Sequence, residues 1–335
     1  MNSNGTLFEW LANEIVLEIF SYLDIRNLYR AFDGLNIRLN DLVRSIHQSY
    51  LVLSPEDNEH DFDQEIYSSS IDTLIVQRNA DVSLGHFPNL HRLILHWLPR
   101  NVLDKLELDA LPLLEYLSIR FRRNTDEDSI FDFPQKIFTN GFSRLRICIL
   151  PDVCIGLTDR RWIECPLITV LKIGNIDLDV YRDLLSCCSN LRTLECALNR
   201  WSTISVDIPA HPNVRTLILK RLMLNHRIFK HCLSCVPNVQ RLDLDAVEFS
   251  VSPGIFQSKI DTFKLISNSN LPKLHRMNFH VILFLDFSKD SINLEFLRRL
   301  EAEFFSGENN TCQKRLTIER RDLRDRKSFD EMMDE

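Results

Sequence analysis

The chain of 335 residues carries 40 Lys and Arg against 47 Asp and Glu, a formal charge of -7, with 44% hydrophobic and 26% charged residues. That supplies a core for one to three domains, and the acidic balance excludes nucleic acid as a default partner, which needs a basic footprint. Residues 1–6 hold no positive charge, and Glu9, Glu14 and Glu18 interrupt the first apolar run, so neither a leader nor a membrane span is expected. Nine cysteines then read as reduced thiols in a cytoplasmic or nuclear setting, and only eight glycines leave little material for phosphate-cradling loops.

In chain order, the first 50 residues predict three short helices. Asn13 is placed as an N-cap, with Ile15, Ile19 and Leu23 on one stripe and Val16 and Phe20 beside them. Leu17 and Tyr22 widen that stripe, while Glu14 and Glu18 take the other face. Asp24 opens a second helix through Leu28 and Phe32. A third starts near Leu35 and carries Leu39, Leu42, Val43 and Ile46 at helical spacing. So small a piece buries too little surface to stand alone, and it must lean on the rest of the chain, on another protein, or on both.

The runs Leu11-Ala12-Asn13-Glu14-Ile15 and Ile19-Phe20-Ser21-Tyr22-Leu23-Asp24, with the later Leu28, resemble the F-box family. That family's pattern is Leu-Pro-x-Glu-Ile, Ile-Phe-Ser-Tyr-Leu and a following Leu. Ala12 stands where the family has Pro, and Phe32 to Asn36 replace its usual Val-Cys-Arg-x-Trp ending. The resemblance implies docking onto the Skp-type adaptor of a cullin-based (SCF) ubiquitin ligase. Its apolar contacts would be Leu11, Ala12, Ile15, Ile19, Phe20, Leu23 and Leu28. An amphipathic bundle that merely caps the following domain is the alternative.

Residues 51–70 form an acidic linker and first cap, with a short strand at Tyr50 to Leu53 and a helix near Phe62 to Tyr67. From Ile71 one pattern recurs: apolar, two residues, apolar, one residue, apolar. Copies are Ile71/Leu74/Val76, Leu90/Leu93/Leu95, Leu114/Leu117/Ile119 and Leu145/Cys148/Leu150. They continue as Ile168/Leu171/Ile173, Leu191/Leu194/Cys196, Val214/Leu217/Leu219 and Val239/Leu242/Leu244. Ile260/Phe263/Leu265 and Leu274/Met277/Phe279 are weaker. First positions 145, 168, 191, 214 and 239 step by 23, 23, 23 and 25 residues. Pro precedes the pattern by two positions at Pro88, Pro112, Pro166, Pro212, Pro237 and Pro272, and Asn by one at Asn89, Asn190, Asn213 and Asn238.

This period and core resemble leucine-rich repeats, and the cysteine-containing kind often joined to F-boxes. The copies are degenerate: after the third apolar position the usual Asn or Cys is met only by Asn199. The expected fold is therefore α/β: a short three-helix F-box over 1–50, then a leucine-rich-repeat solenoid over 71–283. A helical cap over 284–313, carrying Leu294, Leu297 and Leu300, and a charged tail over 314–335 with a last strand at Leu316 to Ile318 complete it.

No Walker loop, dinucleotide fingerprint or zincin motif is present. Cys232 and Cys235, with His226 and His231, lack a second ligand pair, so no metal, cofactor or enzymatic activity is expected. In each strand the residues flanking the inward pair must face out. They are Arg92, His96, Tyr116, Arg120, Lys172, Glu195, Lys220, Arg241, Asp243, Asp245, Lys264, Arg276 and His280, of which seven are Lys or Arg and three acidic. The expected target site is Arg92, Tyr116, Arg120, Lys172, Lys220, Arg241, Lys264 and Arg276, receiving an acidic or phosphorylated protein segment. The alternative is that such residues only solvate the strands. By resemblance the chain is a substrate-recognition adaptor of an SCF-type ligase, with no nucleic acid or membrane partner. The competing expectation is a repeat scaffold whose N-terminal cap has no ligase role.

Overall fold

Capping chemistry sets the N-terminal helices α1 (Asn13–Ser21), α2 (Ile25–Phe32) and α3 (Ile37–Arg44). The Asp24 carboxylate accepts from the Asn27 amide at 2.7 Å, and Asn36 accepts from the Leu39 amide at 2.8 Å, each closing an orphan N–H of a first turn. At α1 the expectation is corrected by one residue. Ala12 occupies the cap with φ -61°, the angle a proline ring would impose, and Asn13 is the first helical residue. Freed from capping, Asn13 Oδ1 accepts from Arg38 Nε at 2.8 Å. The computed structural model describes residues 7–46, 49–54, 68–78, 83–98, 111–121, 137–138, 142–153, 162–198, 210–222, 226–248, 271–285, 298, 301–302 and 312–322.

Val16, Phe20, Ile25, Leu28, Leu39, Leu42 and Val43 form the helical core. Phe32 lies against it, its ring tilted 4.6 Å from Phe20 and stacked 5.4 Å from Phe8. The bundle is tied to β1 (Ser49–Leu53): Arg26 donates to the Val52 carbonyl, and the Tyr50 hydroxyl donates to the Tyr22 carbonyl at 3.0 Å. The helices thus share one compact unit with the first strands, spanning residues 1–122 with 142–145.

That unit continues with β2 (Ile71–Gln77), β3 (Arg92–Leu98) and β4 (Tyr116–Phe121), each parallel to its neighbour. The second unit, residues 123–141 and 146–335, holds β5 (Ile147–Leu150), β6 (Val170–Ile176) and β7 (Thr193–Leu198). It goes on with β8 (Thr216–Leu222), β9 (Arg241–Glu248), β10 (Arg276–Leu285) and β11 (Gln313–Asp322), again all parallel and in chain order. Among the described residues, helices α4 (Leu178–Cys187) and α5 (His226–Ser234) lie between its strands. Among the described residues the protein is α/β, with three N-terminal helices followed by four parallel strands in the first unit and seven in the second.

Alternation puts the recurring apolar positions inside. In the copies from Leu90, Leu114, Leu191 and Val214, all three positions are 0% exposed. Ile71, Leu145, Ile168, Val239 and Leu274 begin copies that are buried throughout, and the copy at Ile260 lies outside the described residues. The asparagine before the first apolar position has a specific job. Asn190, Asn213 and Asn238 each donate their side-chain amide to the carbonyl of Pro166, Ser189 and Pro212, at 2.8, 2.9 and 2.9 Å. Asn89 does the same to Ser69 at 2.8 Å. These four turns are each stitched to the one before, at the start of the strand.

Gly174 in β6 is required by a close approach: a Cβ there would lie 2.8 Å from the Pro151 carbonyl oxygen and nearer still to that of Val153. Two elements differ in extent from expectation. Phe284 and Leu285 continue β10, and β11 starts at Gln313 and runs ten residues, so much of the charged C-terminal stretch is a paired strand. The helix near Phe62 to Tyr67, and Leu294, Leu297 and Leu300, lie outside the described residues, although residues 298, 301 and 302 are helical.

Candidate protein-interaction surfaces

The predicted docking stripe divides into two sets. Phe20 and Leu28 are each 1% exposed and hold the bundle together. Leu11, Ile19 and Leu23 are half-buried, and Ala12 is exposed. Ile15 is 50% exposed although it sits on the same helix as the fully buried Val16. Arg38 binds both the Leu11 carbonyl and Asn13, which brings the start of α3 against the start of α1. Around these segments lie further uncovered apolar side chains: Trp10 at 80%, Leu35 at 62% and Ile37 at 81% exposure. The motif does not pick out Trp10, Leu35 or Ile37.

On the second unit, the outward rows form ion pairs within the chain. Glu195, on β7, accepts from Lys172 of β6 at 3.1 Å and from Lys220 of β8. Burial would raise its pKa, but the bonds and charges of Lys220 and Lys172 outweigh that and hold it below the usual carboxylate value. In the same register row two strands on, Asp243 accepts from Arg241 Nε and Nη2 at 2.9 and 2.6 Å and from Asn278 at 2.6 Å. His280 lies between Asp245 and Glu319, at 3.2 and 3.6 Å. The sequence leads one to expect free charge for a target at Lys172, Lys220 and Arg241. Each is instead committed to a neighbouring carboxylate.

A shallow pocket of about 300 Å³ opens on this face, bordered by Lys220, Asp243, Asp245, Asn278, His280 and Arg315. Among the described residues Arg276 and Arg315 have no carboxylate partner. Lys264 lies outside the described residues.

The first unit's outward face is different. Arg92 lies 4.8 Å over the Tyr116 ring, a cation–π contact, and both occupy one register row. Arg120 is exposed, opposite His96. Burial, then the Arg120 charge, lowers the His96 pKa and keeps that imidazole neutral at pH 7. At the ends of β2 and β3, Arg78 and Trp97 adopt left-handed backbone angles, φ 57° and 53°. The two strand ends are joined by the Arg78 amide donating to the His96 carbonyl at 2.7 Å. Trp97 is the extra residue of a bulge, since His96 pairs with Arg120 and Leu98 with Phe121. Spacing reveals neither residue, because a one-residue bulge leaves the apolar pattern upstream of it intact.

Cys148, Cys165, Cys187, Cys188, Cys196, Cys232 and Cys235 are buried and free, and burial or thiol neighbours push Cys148, Cys165, Cys187, Cys196 and Cys232 up, away from thiolate. Cys235 Sγ contacts the His231 carbonyl at 3.0 Å, and no group of three metal-ligating side chains occurs among the described residues. The buried His211, which no sequence pattern marks, is a structural pin: its Nε2 bonds the Cys188 carbonyl at 3.0 Å. No helix among the described residues is long and apolar enough to cross a membrane.

Compared with models of known protein families, the chain matches none, and no curated protein matches it significantly in sequence.

Proposed function

We propose that the chain is a two-part adaptor of the F-box and leucine-rich-repeat kind. Its N-terminal helices grip a Skp-type adaptor of a cullin ligase, and its outward strand face holds a protein target for ubiquitin transfer. The observation that carries the reading is the 50% exposure of Ile15, beside Trp10 and Ile37 at 80% and 81%. A small bundle with a sealed core has no internal use for such uncovered apolar side chains, and they are the usual mark of a protein-binding surface. The burial of every described Leu-x-x-Leu-x-Leu-like copy, with its asparagine stitches, supports a repeat solenoid behind the helices. The chain performs no chemistry itself. It raises the target's effective concentration near a ubiquitin-loaded enzyme.

The test is co-purification with a Skp-type adaptor. Ile15→Asp is expected to abolish capture while leaving the melting temperature within a few degrees, since the side chain is half in water. Phe20→Asp should instead unfold the bundle. Capture by Ile15→Asp equal to the wild type would sink the ligase reading. The competing reading, a repeat scaffold with a helical cap, draws on the bonds from Arg26 and Tyr50 that tie the helices to β1, and absence of any capture by the wild type would favour it.

A further inference from the structure

We infer that the target-holding site lies at the ends of β2, β3 and β4, where Arg78, Trp97 and Arg120 form a receptor for a polyanionic segment with an adjacent apolar side chain. This rests on reading the outward strand face as the target surface, and it narrows that reading to one end of the first unit. Three separate observations converge there.

The first is backbone strain. A left-handed angle crowds the Cβ against the following carbonyl oxygen, a cost that glycine would remove. Two neighbouring strand ends carry it, at Arg78 and Trp97, and neither is glycine. Such strain persists where the side chain is wanted in a particular place. The second is exposure: the bulge turns a tryptophan outward, 51% exposed, where Leu95 before it is sealed. Trp and Arg are the residue types that most often dominate binding energy at protein interfaces.

The third is charge availability. Arg78 and Arg120 are exposed and have no carboxylate partner among the described residues, in contrast to Lys172, Lys220 and Arg241. An incoming anion at Arg120 meets no competing carboxylate among the described residues, whereas at Lys220 it must compete with Glu195. Guanidinium groups also bind carboxylate or phosphate oxygens in a bidentate fork, so two of them beside an indole suit a segment of clustered anions next to Leu or Phe.

The experiment uses the full chain and three fluorescein-labelled peptides of one length: alternating Glu pairs and Leu, the same with phosphoserine for one Glu pair, and a control with Lys for Glu. Fluorescence anisotropy at low and moderate salt should show binding of one or both anionic probes, weakened by salt, and none of the Lys control. The two anionic arms separate a carboxylate receptor from a phosphate receptor. Arg120→Glu is expected to weaken binding by at least about tenfold, and Arg78→Gly by about threefold to tenfold with no fall in melting temperature. Trp97→Ala should also weaken it, and Lys220→Glu should leave it within about twofold. Should Trp97→Ala fold poorly, the two arginine variants still decide. Unchanged binding by Arg120→Glu and Arg78→Gly overturns the inference. If Lys220→Glu or Arg276→Glu alone abolishes binding, the outward-face reading stands and this location falls. No binding of either anionic probe by the wild type overturns both.

Discussion

The outward faces of the two units use the same residue types to opposite ends. On the second unit cations and carboxylates pair with one another, Lys172–Glu195–Lys220 across strands and Arg241–Asp243 along β9, so the charges satisfy one another. On the first unit Arg92 rests on an aromatic ring and Arg120 faces a neutral imidazole, and the strand ends are strained. A count of Lys and Arg cannot separate these cases, because a cation's availability depends on which side chains the fold brings beside it, on its own strand or the next. One face is consolidated for stability; the other carries an exposed indole and cations with no carboxylate partner among the described residues.

The sharpest way to break this contrast is to disturb the tight second unit. Gly174→Ala is expected to cost about 3 kcal/mol in denaturant unfolding, because its Cβ would collide with backbone carbonyls of Pro151 and Val153 that cannot rotate away. Next, Glu195→Ala should cost about 1–2 kcal/mol, leaving two lysines facing each other with no anion between them. The Glu195 pKa is depressed in the folded state, so its stabilisation is complete above the unfolded value of 4.5 and fades as pH falls through the lower folded value. Acid titration of stability should therefore be steeper for the wild type than for Glu195→Gln in that window.

A smaller effect probes what the units share. Asn89→Ala in the first and Asn213→Ala in the second should each cost about 1 kcal/mol, since both lose one amide-to-carbonyl stitch of like length. Unequal costs in thermal melts would mean that the stitching differs between units after all. The smallest expected change has the opposite sign. Arg78→Gly should stabilise the protein by about 0.5–1 kcal/mol by relieving the left-handed angle, and a loss of stability there would remove strain as an argument for function.

The inward residues are legible in the amino-acid order alone, because period-two alternation and a near-constant 23-residue step leave each apolar triplet only one way to face. Asn89, Asn190, Asn213 and Asn238 are visible as a pattern, but their purpose is not: the amide bonds across a full turn, a relation absent from local sequence. The docking stripe is recognisably apolar, yet one helix face cannot say that Phe20 points into the bundle and Ile15 into water. That depends on where Phe32 and α3 sit. Among the outward cations, sequence order hides the pairing of Glu195, because its partners lie 23 residues before and 25 after it. The full length of β11 is hidden because its charged residues read as a solvated tail, although its Leu316 and Ile318 alternate as a strand does.

The stitches also constrain how such a chain changes in length. The amides of Thr169, Arg192 and Arg215 reach back to the carbonyls of Arg146, Thr169 and Arg192, a uniform offset of 23 residues. Gain or loss of a whole module preserves every surviving bond of this kind, while removal of a fraction of one throws all later donors out of phase. Variants of this architecture should therefore tolerate insertions and deletions in quanta of one module, with smaller changes confined to the segments that run between stitches.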